Sequence, residues 1–376
     1  QYLWNNRQKK RIYDAVKVLN IKSGKHPILS LDVPTGICSD TGIELGMAVR
    51  ANVTATFLGR KRGCYTSKGR ECSGKIRFSN LSVRQKVLNG IQPNCHIISM
   101  EKGLKKLTNR DTNSHKGNYG HVFVIGGDKG FGGAAILAAK AAAKSGSGLT
   151  TLVTREEHLT AALTQCPELM VISVESGQDV EPHLNRASVI VIGPGLGRSA
   201  WSEQMLQRTF WESNRRKIPV VLDADALNLL SDLKLDSTKP KKIILTPHPG
   251  EAARLLNKTV DEIESDRFKS VMELQKKYNA LCVLKGSGSL VCSSRYRRQY
   301  VGVCESGNPG MASGGMGDLL SGLIGSFLAQ GLSVVQAVET AVDIHSKAAD
   351  MAALELGELS ILASDVLEDI QYLLRP

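Results

Sequence analysis

Aromatic residues make up only 5 % of this 376-residue chain, and its eight cysteines are scattered at 38, 64, 72, 95, 166, 282, 292 and 304 without one Cys-x-x-Cys pair. That scatter predicts free thiols in a reducing compartment and excludes both a disulfide framework and a zinc site. No stretch reaches the ~18 consecutive apolar residues of a membrane span, so no membrane partner is expected. No signal peptide opens the chain, which begins with Gln1 rather than Met, and a cytoplasmic location is the default expectation. Two familiar phosphate-binding signatures are also missing. There is no G-x-x-x-x-G-K-[S/T] loop, and no G-x-G-x-x-G followed by a well-placed acid.

What is present is ordinary globular composition, 42 % hydrophobic and 22 % charged, in a chain long enough for two or three domains. The net charge of +12 is unevenly placed: residues 1–116 carry 22 Lys/Arg against 7 Asp/Glu, and residues 117–376 carry 26 against 29. Two modules with different duties are expected. The basic charges are dispersed and few aromatics are interleaved with them, so a solvated surface is preferred to a nucleic-acid partner.

The periodicity predicts a helix over Asn5–Asn20. A buried strand follows, Ile28–Leu31, which ends in the turn Asp32-Val33-Pro34-Thr35-Gly36, and then a second apolar run, Val53–Leu58. Gly103–Gly117 is polar and charged and reads as the linker between domains 1–103 and 104–376. Beyond it strands and helices alternate. His121–Ile125, Leu149–Val153, Ser188–Ile192, Val220–Leu222, Ile243–Leu245 and Leu281–Leu284 read as strands. Gly133–Lys144 and segments near 314–329, 333–355 and 363–373 read as helices. The pattern predicts an α/β fold with a mainly parallel sheet covered on both faces. The Gly-, Pro-, Asp- or His-bearing turns after these strands should share one sheet edge, where open α/β sheets bind ligands.

The strongest chemical signal is Gly307-Asn308-Pro309-Gly310-Met311-Ala312-Ser313-Gly314-Gly315-Met316-Gly317-Asp318, leading into an apolar helix. Converging backbone N–H groups at a helix start make an anion hole for a phosphoryl group. A carboxylate beside such a hole repels the bound anion, which makes sense if Asp318 is a general base for a hydroxyl that attacks phosphorus. The plainer alternative is a helix-capping Asp with structural glycines. The glycines at 126–127 and 130–133 are a weaker signal. His248, between two prolines, reads as a turn residue or a ligand contact. Lys285 reads as a phosphate ligand or a strand-end surface lysine. Asp223 and Asp225 could hold metal-bound water or cap the following helix, with capping and loop support preferred. His345 and Asp350 are expected to pack or to face solvent.

Five segments occur in a telling order and spacing: His115-Lys116-Gly117-Asn118-Tyr119-Gly120-His121, Gly193-Pro194-Gly195-Leu196-Gly197, Leu222-Asp223-Ala224-Asp225-Ala226-Leu227, Thr246-Pro247-His248-Pro249-Gly250-Glu251 and Gly314-Gly315-Met316-Gly317-Asp318. Together they resemble the ribokinase-like NAD(P)H-hydrate dehydratases over about 260 residues. Residues 1 to about 103 are similar to the latter part of the NAD(P)H-hydrate epimerase domain, through Leu31-Asp32-Val33-Pro34-Thr35-Gly36 and Asp40-Thr41-Gly42. The resemblance implies dehydration of hydrated NADH or NADPH (NADHX, NADPHX) with ADP as phosphoryl donor and Mg²⁺, in a homotetramer. An ATP-dependent version and a ribokinase-like small-molecule kinase are the alternatives. It implies that Ala134, Gly197, His248 and Asp318 contact the hydrated nucleotide, and that Lys285, Gly286, Ser287, Gly288, Ser289 and Gly317 hold the donor. In the epimerase-like part, Asp32 would contact substrate and Thr35 would bind potassium, where the family more often has Ser. That family's early glycine- and asparagine-rich loop has no counterpart before Asp32, so no epimerase activity is expected unless residues precede Gln1.

Overall fold

The computed structural model describes residues 6–22, 25–91, 93–233, 239–295 and 298–375. The first predicted helix runs over Asn6–Lys22; its predicted start at Asn5 lies outside the described residues. Three short strands, β1 (Leu29–Leu31), β2 (Val53–Phe57) and β3 (Lys75–Ser79), form a small parallel sheet in that order. Ser30 is buried, but Leu29 and Leu31 are 61 % and 67 % exposed. The strand is therefore not the buried one that its apolar run suggests. It lies at a sheet edge, and only one of its alternating faces is covered.

The second sheet has ten strands: β4 (Cys95–Ile97), β5 (His121–Ile125), β6 (Leu149–Thr154), β7 (Met170–Ser173), β8 (Val189–Ile192), β9 (Val220–Leu222), β10 (Ile243–Leu245), β11 (Leu281–Leu284), β12 (Leu290–Arg295) and β13 (Arg298–Val303). Their order is β4-β13-β12-β11-β10-β9-β8-β5-β6-β7. All pairs from β7 to β11 are parallel, while β11–β12 and β12–β13 are antiparallel. The β-branched strands are buried on both faces, as a parallel sheet with helices on either side requires. Val122 and Val124 point into one core and Phe123 and Ile125 into the other. The first core lies under the helices Gly132–Lys144, Met316–Ala329, Val334–Leu356 and Ala363–Leu373. The second lies under Ala200–Arg216, Ala224–Asp232, Pro249–Leu256 and Arg267–Tyr278.

The large sheet also takes in part of the region read as N-terminal. β4 pairs with β13, and the helix Glu101–Thr108 packs on Val334–Leu356. This recruitment begins ahead of the boundary predicted at 103. The polar run hides Leu104 and Leu107, one helical turn apart, which seat that helix on the core.

Candidate active site

β5 turns outward to β6 and β7, and the chain then returns to β8 on the other side of β5. Such a reversal of strand order, here at the carboxyl ends of β5 and β8, is where open α/β sheets take their ligands. Ala134 follows β5 and Gly197 follows β8, so both lie at that edge of the sheet. The two loops are tied together. The Gly127 N–H donates to the Pro194 carbonyl at 3.1 Å and the Asp128 N–H to that of Gly195 at 2.8 Å. The Gly197 N–H donates to Asp225 Oδ2 at 3.0 Å. Asp128 accepts from Ser199 Oγ at 2.6 Å and Arg155 Nε at 3.0 Å. Burial raises the pKa of Asp128, but these donors outweigh it and leave the carboxyl below the ordinary aspartate value.

Along the same edge, β9, β10 and β11 deliver a cluster of charges. Asp223 follows β9 and is almost fully buried. It does not cap its helix through its side chain, contrary to the preferred reading. Its Oδ1 accepts instead from Lys285 Nζ at 2.8 Å and Thr246 Oγ1 at 2.9 Å. Lys285 follows β11 and reaches past the end of β10; its backbone N–H is held by the Pro247 carbonyl at 2.9 Å. Its ammonium also lies 3.9 Å from Glu251 Oε2. Burial opposes that ammonium, but Asp223, Glu251 and Asp318 outweigh it and hold its pKa above the ordinary lysine value.

Glu251 is the acid that the motif reading passed over. It is buried, and its Oε2 accepts the His248 N–H at 2.7 Å. Burial pushes its pKa up to about 7, with Lys285 pulling it down and Asp223 pushing it up. His248 has a capping role: its Nδ1 accepts from the Gly250 N–H at 3.0 Å, and its Nε2 lies 3.4 Å from Glu251 Oε1. Burial, then the Lys285 and Arg254 cations, lower its pKa, so the ring is neutral at physiological pH.

Asp318 sits in the first turn of the helix Met316–Ala329. Burial drives its pKa up to about 7, Asp223 and Glu251 adding to the rise and Lys285 opposing it. Among the described residues its carboxyl oxygens have no hydrogen-bond partner, although its backbone carbonyl accepts from Ser321 Oγ at 3.0 Å. Gly317, next to it, leaves room for the lysine: a Cβ there would lie 3.2 Å from Lys285 Nζ. The glycine-rich approach to this helix is braced by Asp350, which accepts from the Gly307 N–H at 2.9 Å and from Asn308 Nδ2 at 3.0 Å. Asp350 is thus neither a packing nor a surface residue, as expected from sequence, but a strut for the loop. His345 is buried, and its Nε2 lacks a partner among the described residues.

The structure therefore brings Asp318, Gly317 and Lys285 together with Asp223, Glu251 and His248. The turn Lys285–Ser289 joins β11 to β12. Asp32 and Thr35 belong to the other sheet, at the carboxyl end of β1. Three donors, Thr56 Oγ1, the Phe57 N–H and Lys61 Nζ, converge on Asp32 Oδ1. Burial raises its pKa, and these donors bring it below the ordinary value. Among the described residues, no three His, Cys, Asp or Glu side chains are arranged to hold a metal ion. No helix there is long and apolar enough to cross a membrane.

Comparison with known proteins follows this division. Residues 122–372 match the family model described as NAD(P)H-hydrate dehydratase, and residues 4–63 match the YjeF-related protein N-terminus. The bifunctional NAD(P)H-hydrate repair enzyme of Coxiella burnetii is 43 % identical over 364 residues, 97 % of this chain and 72 % of that protein. A ribokinase-like superfamily protein from Enterococcus faecalis superposes with a TM-score of 0.67 at 30 % identity, covering 76 % of this chain and 96 % of the other. An ADP/ATP-dependent NAD(P)H-hydrate dehydratase from Bacillus subtilis, crystallised with ATP and Mg²⁺, gives 0.65 at 27 % identity, covering 75 % and 98 %.

Proposed function

Because this chain belongs to the NAD(P)H-hydrate dehydratase family, we propose that it restores hydrated NADH or NADPH using ADP as phosphoryl donor, with Asp318 as the general base. Hydroxide is a poor leaving group, so the carbinol oxygen of the hydrated ring has to be converted into a phosphate before it departs. Asp318 takes the proton of that hydroxyl while its oxygen attacks the terminal phosphorus of the nucleotide, releasing AMP. The ring nitrogen then expels inorganic phosphate to leave an iminium ion, and loss of a proton from the ring carbon next to the former carbinol gives the reduced nicotinamide. The observation that carries this reading is the Asp318 carboxyl: half-buried, without a hydrogen-bond partner among the described residues, and raised to about 7 beside the helix start. A base poised near the working pH is suited to this transfer.

Lys285 and the N–H groups of residues 286–289 and 317 are assigned to the donor phosphates, and Ala134, Gly197 and His248 to the hydrated nucleotide. A neutral His248 can donate or accept a hydrogen bond without adding charge. The Bacillus relative's description as ADP/ATP-dependent supports a nucleoside phosphate in this role. Around Lys285 three carboxyls face one ammonium, and two of the acids are driven up to about 7. Mg²⁺ arriving with the nucleotide would be held chiefly by the phosphates, with Asp223 and Glu251 the carboxyls that would face its bound waters, and it would offset the phosphate charge. Thr35 is exposed and its carbonyl accepts the Val49 N–H at 2.9 Å. Potassium binding at Thr35 rests on the family resemblance alone, and no step is assigned there.

The test is turnover of NADHX with ADP or with ATP, followed by return of the reduced-nicotinamide absorbance and by released phosphate. Asp318→Asn should lose roughly 10²-fold or more in kcat while still binding nucleotide. Wild-type rates in that variant remove Asp318 from its role. A stable phosphorylated alcohol in place of phosphate points to a small-molecule kinase.

A further inference from the structure

The turn assigned to the donor phosphates is not held by its own domain alone. Thr66 lies in the N-terminal part, beyond the small sheet's β2, and is fully buried. Its Oγ1 donates to the Ser287 carbonyl at 3.0 Å and accepts from Arg267 Nε at 3.1 Å. The Ser67 N–H donates to the same Ser287 carbonyl at 3.1 Å. Arg267, 1 % exposed, turns its other nitrogens inward. Its Nη2 donates to the Leu284 and Lys285 carbonyls at 3.3 and 3.1 Å, and Nη1 pairs with Glu264 at 2.5 Å. Gly288, at φ +68°, fits only because it has no side chain; a Cβ there would lie 1.9 Å from the Tyr65 carbonyl oxygen. On the short helix Ser67–Ser73 that follows, Arg70 Nη2 donates to the Glu305 and Gly307 carbonyls at 3.1 and 2.6 Å. The segment 65–70 therefore touches both loops that approach Asp318, the 285–288 turn and the glycine-rich run.

We infer that Thr66 and Arg267 are positioning residues for the nucleotide turn, so that the N-terminal part of the chain sets donor affinity in the dehydratase part. This rests on the assignment of residues 285–289 to the donor. The physical reason is economy of order. A glycine-rich turn has many backbone conformations, and its N–H groups grip an anion only when they converge. Thr66 holds the turn from one side at a peptide carbonyl. Arg267, a planar fork with several fixed donors, holds the two residues before it. If either is lost, the turn must be ordered by the nucleotide itself, which lowers apparent affinity without altering the proton transfer at Asp318.

Steady-state kinetics on the intact chain, with equilibrium binding of ADP, test the assignment. In Thr66→Val, which keeps the shape and removes the hydroxyl, the nucleotide KM and Kd should rise roughly ten-fold, the scale of leaving the buried Arg267 Nε unmatched and the Ser287 carbonyl with one donor in place of two. kcat and the hydrate KM should stay within about two-fold, and Thr66→Ser should restore the nucleotide KM. Arg267→Lys should follow Thr66→Val, because a compact ammonium with three donors cannot span the four partners (Thr66, Glu264 and the two carbonyls) that the guanidinium's separated nitrogens reach. Lys285→Met serves as the reference for the donor assignment. If Lys285→Met weakens nucleotide binding and Thr66→Val and Arg267→Lys do not, the positioning role is wrong. It is equally wrong if Thr66→Val lowers kcat and raises both KM values only in step with a lower Tm. If Lys285→Met itself binds ADP like wild type, the donor turn lies elsewhere and the inference falls together with that assignment.

Discussion

Asp223→Asn offers a sharp test of the electrostatics at this site. Asp223 is buried, and both of its assigned partners, Lys285 Nζ and Thr246 Oγ1, can still donate to an amide oxygen, so the fold should survive. Two consequences act on Asp318 in the same direction. A negative charge that raises its pKa disappears, and the Lys285 ammonium, which lowers it, loses its strongest competitor. Asp318 must be ionised to act as a base, so the rate rises with pH through its pKa, and in the wild type that acid limb should lie near 7. A neighbouring charge shifts a carboxyl by about 1–3 units. A fall of ~1.5 units changes the ionised fraction at pH 6 from roughly a tenth to about three quarters, a gain of about eightfold relative to each enzyme's own plateau. The plateau itself should drop, because a weaker base transfers the proton less readily. Glu251 titrates in the same range, so the limb belongs to the pair. The assay is kcat for hydrate turnover at saturating nucleotide from pH 5 to 9. A limb that stays near 7, or moves upward, refutes the assignment of Asp318 as a base tuned by its acidic neighbours.

Other outcomes follow from the same contacts. Glu251→Gln also removes a charge that raises the Asp318 pKa, so its acid limb should move down too, by less than in Asp223→Asn, since Asp223 is the stronger influence; the paired pH profiles check the order. Asp350→Ala leaves the Gly307 N–H without its acceptor and Asn308 Nδ2 with the Ala349 carbonyl alone; urea unfolding should show a loss of about 1–3 kcal/mol, and the nucleotide KM should rise. His345 and His121 are both buried with pKa values lowered to about 4. The unfolded chain binds their protons first, so their stabilisation is complete above about 6.5 and is lost as pH falls toward 4, up to roughly 3 kcal/mol each. His345→Phe should flatten the fall in Tm between those pH values, and an unchanged slope would count against its burial as a neutral ring.

Much of this molecule could be read without coordinates, because the signals were local. Strands such as Val189–Ile192 and Val220–Leu222 announce themselves by β-branched residues with no polar alternation, and parallel strands place their following turns on one edge whatever the tertiary detail. Asp318, Lys285 and His248 were nameable because each follows or opens an element at a punctuating glycine or proline. Edge strands were harder. Met170–Ser173 and Cys95–Ile97 are short and partly exposed, and nothing in three or four residues distinguishes them from a loop. The exposed faces of Leu29 and Leu31 show the converse: an apolar run states preference for burial but not whether a neighbour arrives to bury it.

By itself, the order of residues determined the α/β alternation, the glycine-lined helix start and the identity of the acid placed there. Only the tertiary structure decided that Asp223 and Glu251 share one lysine with Asp318, and that Thr66 and Arg267, 201 positions apart, close on the same turn. Periodicity is a property of neighbours along the chain, whereas a pKa or a clamp depends on charges and donors brought within a few ångströms by strands distant in sequence.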